Sequence, residues 1–168
     1  IAIGKNALTA NTTGAYNVAV GYDALEANTT TNSNTALGYK ALTVNTAGEN
    51  TAVGYYAMVW NTTGAQNVAL GFRALEQNTT ASENTALGHE ALKLNTTGTQ
   101  NTAVGADALD SNTTGDSNVA VGYNALQANT TGAANVAVGR QALADNTTGD
   151  NGTAVGAYAL ASNTTGID

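Results

Sequence analysis

The sequence predicts an all-β chain wound as a parallel β-solenoid of about ten short coils, and three observations predict it. One stretch, Asn-(Thr/Val)-Ala-(Val/Leu)-Gly, recurs every 17 residues, with a single step of 16 between Gly38 and Gly54. Each coil then brings Asn-Thr followed in most copies by Thr-Gly, residue types that suit tight returns of the chain. Alanine fills two coil positions without exception, from Ala2 to Ala154 and from Ala7 to Ala159. A 17-residue unit is too small to stand alone, but it has the size of one coil that buries itself against its neighbours. The 168 residues therefore read as one repeat domain, 1–168, with no recognisable caps.

Positions are counted from the opening Asn, so that Asn101 is position 1 and Ser117 is position 17 of the seventh coil. Positions 1 to 5 read as a strand closed by a bend at the invariant glycine. Positions 8 to 11, Ala-Leu and two variable residues, read as a second strand. Positions 12 to 15 are the return turn. A helix is excluded by the glycine, the Asn-Thr-Thr-Gly run and the β-branched residues at positions 2 and 4. Coils stacked at the ~4.8 Å inter-strand spacing give a rod about 45–50 Å long.

In the seventh coil the expected structural core is Ala103, Val104, Gly105, Ala108 and Leu109, and the expected turn ladder is Asn112, Thr113, Thr114 and Gly115. Asn101 and Asn112 should run along the corners, their amides hydrogen-bonded from coil to coil as in cross-β ladders. The short coil has Asn45-Thr46-Ala47-Gly48 followed by one residue, Glu49, where others have two. A tightened turn is expected at Glu49, with the strands on either side in register.

Alternation along a strand gives position 4 a second meaning. If Ala103 and Gly105 face inward, Thr102 and Val104 face outward. Val20, Leu37, Val53, Leu70, Leu87, Val104, Val121, Val138 and Val155 would then form one long apolar stripe, a patch that soluble monomers rarely expose. The stripe suits contact between chains. The inverted assignment, with position 4 inside and position 3 outside, stays open.

The run from Val119 to Leu126, Val-Ala-Val-Gly-x-x-Ala-Leu, resembles the head repeat of trimeric autotransporter adhesins of the Yersinia adhesin A type. It is also similar to repeats of phage tail-fibre proteins. The likeness covers the whole chain, although this coil is longer by Asn-Thr-Thr-Gly. It implies a left-handed β-roll, three chains side by side as a homotrimer, and display outside the cell or on a virion surface.

Composition excludes several functions. Charged residues are 10% of the chain, against about 25% in ordinary domains. Five basic against 12 acidic residues give a net charge of −7, which argues against nucleic acid as a partner. No apolar run is long enough to span a membrane. Charge stands only at the variable positions 6, 7, 10, 11, 16 and 17, which read as a solvated face.

Catalytic candidates are lacking. His89 is the only histidine, cysteine is absent, and the serines have no repeated base near them. Asp116 and Asp150 follow the turns without the spacing of a calcium loop. No enzyme activity, cofactor or metal is expected. Nine Asn-Thr-Thr triplets match the glycosylation sequon, but the turn itself requires them. Tyr22, Tyr39, Tyr55 and Phe72 share position 6 in consecutive coils, a row suited to a carbohydrate or simply to β surface.

The leading expectation is a non-enzymatic structural or adhesive fibre segment that self-associates and meets a host surface or carbohydrate. A phage tail-fibre shaft is a close alternative. An ice-binding solenoid that uses the threonine row from Thr12 to Thr164 is a more distant one. Uncapped terminal coils would also let subunits join end to end as filaments.

Overall fold

The computed structural model describes residues 1–166. It contains ten strands: β1 (Ala2–Ile3), β2 (Val18–Val20), β3 (Thr35–Leu37), β4 (Thr51–Val53), β5 (Val68–Leu70), β6 (Thr85–Leu87), β7 (Thr102–Val104), β8 (Val119–Val121), β9 (Val136–Val138) and β10 (Thr153–Val155). They form one parallel sheet in sequence order, each strand paired with its predecessor and successor. The register follows the repeat: Ala103 pairs with Ala86 below and Ala120 above. The chain is thus an all-β solenoid.

Each described coil contributes one strand, not two. Positions 8 to 11, expected as a second strand, are a run of turns. The reason lies in the backbone. Asp107, Leu109 and Ser117, at positions 7, 9 and 17, have φ of 56°, 52° and 59°, and their equivalents in other coils do the same. A left-handed residue costs roughly 1–2 kcal/mol when it carries a side chain. The return here is that alternate amides point along the rod. Asp107 N donates to His89 O of the coil below (2.9 Å), and Leu109 N to Ala125 O of the coil above (3.0 Å). Ser111 N reaches Gln127 O at 3.2 Å. The coils are therefore laced together on the turn side without a strand.

Position 5 needs glycine for two reasons. Gly105 has φ of 134°, which side-chain-bearing residues rarely adopt, and a Cβ there would lie 2.6 Å from the Gly122 carbonyl oxygen.

The core is a narrow file of alanine and leucine. Ala103, Ala108 and Leu109 are fully buried, as are their equivalents in coils 2 to 9, with Met58 replacing leucine in the fourth. Position 3 thus faces in. Val104 and Gly105, expected in the core, are only half-buried and stand outside this cluster. Alternation turns Val104 to the outer face of the sheet, and the coil has room inside only for Ala103.

Two asparagine rows close the corners. Asn112 Nδ2 donates to Asn95 Oδ1 (2.8 Å) and to Gly115 O (3.0 Å). Asn101 Nδ2 also reaches Gly115 O (2.8 Å), while Asn101 Oδ1 accepts from Asn118 N (2.9 Å). Buried amides are costly unless bonded, and here both ends of each amide are used. Asn28, Asn61, Asn78, Asn95, Asn112 and Asn129 have no exposed surface. Inside the stack the triplets that match the glycosylation sequon therefore present no accessible amide, whereas Asn11 and Asn163 in the terminal coils are half-buried.

The short coil keeps register, with Thr35, Ala36 and Leu37 opposite Thr51, Ala52 and Val53. The contraction is not at Glu49. Glu49 has the ordinary position-17 geometry, with φ of 62° and its amide bonded to Asn32 O at 3.1 Å. Ala47 instead accepts from Asn45 Nδ2 (2.7 Å) and Asn34 Nδ2 (2.9 Å), the role that residue 15 plays elsewhere. The missing residue is the second threonine of the turn. Asparagine needs the carbonyl of position 15 more than the chain needs position 14, so the loop closes up between Thr46 and Ala47.

Candidate functional site

The surface with most chemical variety lies where positions 6, 7 and 10 meet in coils 2 to 7. Position 6 follows the glycine bend, and the strict register stacks successive residues there. Tyr22, Tyr39, Tyr55, Phe72 and His89 form a continuous ladder, with ring centroids 5.2, 5.3, 5.4 and 5.2 Å apart and planes within 14° of parallel. The four aromatics singled out in the sequence are thus brought together, and His89 joins them. Aromatic contacts of this kind contribute about 0.5–1.5 kcal/mol each beyond burial. The inner rings cover one another's faces and show mainly their edges. Lys5 Nζ sits 5.5 Å from the Tyr22 centroid, Lys40 Nζ 5.7 Å from Tyr39, and the Arg73 guanidinium 5.9 Å from Phe72.

Tyr56, at position 7, leans on this ladder with its ring 4.4 Å from Tyr55. An open cleft of about 260 Å³ lies between Tyr55, Tyr56, Phe72, Arg73 and Glu76. Partial loss of solvent and the neighbouring Tyr56 hydroxyl push the Tyr55 phenol up.

Beside the ladder runs an ionic chain. Arg73 Nε meets Glu76 at 2.8 Å and its Nη1 meets Glu90 at 3.1 Å. Lys93 Nζ meets Glu90 at 2.9 Å and Asp110 at 3.9 Å. Lys93 hydrogen-bonds Glu90 and holds that carboxyl below its ordinary value, while Glu90 in turn raises Lys93. Burial pushes the Asp110 carboxyl up, against the opposing pull of Lys93, and its Oδ1 accepts no hydrogen bond. Neither Tyr56 nor this chain was visible in single coils. Reading charges at spacings of 3 and 17 together would have found it, since both separations bring side chains into contact.

His89, Glu90 and Asp107 each offer a ligand atom within 4.8 Å of the others. Arg73 and Lys93 already occupy the two oxygens of Glu90, which leaves this group poorly suited to a cation. Asp116 and Asp150 serve the backbone: their Oδ1 atoms accept from Thr99 N (2.6 Å) and Ala133 N (2.7 Å) of the preceding coils.

Two further surfaces flank this one. On the sheet's outer face, position 4 forms the expected file. Leu37, Leu70 and Val155 are 47%, 49% and 70% exposed, and Val20, Val53, Leu87, Val104 and Val121 are half-buried. Val138 is also exposed. No charged residue occupies position 2 or 4 in any coil. On the turn edge, the position-13 hydroxyls donate along the rod, as Thr113 Oγ1 does to Thr130 O at 3.0 Å and Thr96 Oγ1 to Thr113 O at 3.1 Å. Apart from Thr29 and the last coil, that row uses its hydrogens within the protein; Thr114, beside it, is exposed.

Comparison of the chain with protein families, with curated proteins and with solved structures finds no match. The candidate sites therefore rest on geometry alone.

Proposed function

We propose that this chain is the rod of a non-enzymatic structural or adhesive fibre displayed outside the cell, three copies of which pack side by side through their sheet faces. The observation that carries the reading is the position-4 file: a row of half-buried and exposed aliphatics on a solenoid whose core is already closed without them. An uncharged, apolar sheet face of this length is a surface that association would cover. The acids and the aromatic ladder lie on other parts of the coil, free to meet a host surface or a carbohydrate. The family resemblance supports the threefold arrangement and a left-handed coil, and a phage tail-fibre shaft would use the same surfaces.

Sedimentation of the purified protein at micromolar concentration tests the assembly. A stable trimer is expected, and a stable monomer would overturn it. The Val104→Glu, Val121→Glu double variant should sediment as a monomer with an unchanged circular dichroism spectrum. Thermal hysteresis measurements separate the fibre from an ice-binding solenoid, which alone would depress freezing.

A further inference from the structure

The aromatic ladder has a missing rung. Stacked rings run from Tyr22 to His89 through coils 2 to 6. Coil 7 carries Ala106 at the same position, and coil 8 carries Tyr123. At the coil spacing of a parallel sheet, His89 and Tyr123 stand about 10 Å apart with only a methyl group between them. A flat ring entering over Ala106 would lie roughly 5 Å from each, the separation the native rungs keep.

Exposure follows the gap. Tyr22, Tyr39, Tyr55 and Phe72, inside or at the closed end of the ladder, are 38%, 39%, 46% and 42% exposed. Tyr123 is 50% exposed, and the His89 side chain 57%. The lower end of the ladder is covered by Lys5. Among the described residues, Tyr123 stacks on no ring and lies under no cation of the chain.

Charge selects the occupant. Elsewhere the chain covers ring faces with its own cations, including Arg140 over Tyr158 at 5.3 Å. At the gap it supplies a carboxylate instead. Asp107 follows Ala106 directly, and its one charged contact among the described residues is His89 Nδ1 at 3.7 Å. Glu90 is already neutralised by Arg73 and Lys93. We propose that the space over Ala106 is a binding slot for a flat aromatic cation, held between the rings of His89 and Tyr123 and paired with the Asp107 carboxylate.

His89 is the only histidine, so its imidazole Hε1 proton gives a single isolated NMR signal at the mouth of the slot. Titration with N-methylquinolinium at pH 8 should move that signal upfield, as a stacked ring requires, and the shift should saturate. Ala106→Tyr completes the ladder and should abolish the titration while keeping the circular dichroism of the coil. Tyr123→Ala, which removes one wall by a simple truncation, should abolish saturation as well. Asp107→Asn should weaken binding about three- to fivefold, the scale of one exposed ion pair. No saturable shift in the wild type would overturn the proposal. So would an unchanged titration in Ala106→Tyr or in Tyr123→Ala, and unchanged affinity in Asp107→Asn would remove the cation from it. None of these outcomes depends on how many chains associate.

Discussion

At the scale of single residues, the interior is legible because it repeats without variation. Ala103 and Ala108 admit nothing larger, and Ala103→Leu should cost about 1–3 kcal/mol by overpacking. Thermal melting of that variant checks it. Leu109 was legible as core but not as a left-handed residue, since nothing in an Ala-Leu pair signals positive φ. Asp110 and Glu90 make opposite predictions about pH. The Glu90 carboxyl is lowered in the fold, so its contribution is present above its unfolded pKa and lost as pH falls through the native value. The Asp110 carboxyl is raised, so its contribution is present below the unfolded pKa and lost as pH rises through the native value. Asp110→Asn should therefore raise the melting temperature at pH 7 and have no such benefit at pH 3. Glu90→Gln should lower it at pH 7. Melts of both variants at the two pH values distinguish the contributions.

At the scale of one coil, the sequence shows where the chain bends and not how it travels between bends. The strand at positions 2 to 4 was readable from β-branched residues around an alanine. The second was not, because its amides alternate in direction through left-handed residues and never form a ladder of strand geometry. The 16-residue coil was readable as a deletion that preserves register, but aligning letters put the gap after Gly48. Hydrogen bonding puts it before Ala47. The threonine row is interrupted at that level. Thr12 N and Thr46 N donate to the position-13 carbonyls above them, whereas Thr29 makes no such bond to Thr46. An open groove of about 520 Å³ lies there, lined in part by Thr30, Ser33, Gly48 and Glu49. Inserting one threonine after Thr46 should restore the 17-residue turn, close the groove and add about 1 kcal/mol for each recovered hydrogen bond. Protection of the Thr29 amide from hydrogen exchange is the direct readout, and an unprotected amide in the insertion variant would contradict it.

At the scale of the molecule, each coil touches only the coils before and after it, so stability accumulates between nearest neighbours. The solenoid itself was legible from the 17-residue period; the outer sheet face was legible only as one of two alternatives, because alternation fixes which residues share a side and not which side is inside. The interrupted threonine row gives such a rod a preferred place to yield. Under tension along its axis, coils are held by parallel rows of bonds loaded together, and the two levels that bracket the short coil have fewer of them, since Thr29 N, Val44 N and Gln66 N lack the inter-coil bonds their equivalents make. Pulled by its ends in an optical trap, a single rod should part first beside the short coil 3, releasing coils 1 and 2, alone or with coil 3, as one short step while the later coils hold. In the threonine-insertion variant that early step should merge into the main rupture. A fibre made of such rods would carry its own mechanical fuse, set by the absence of one residue.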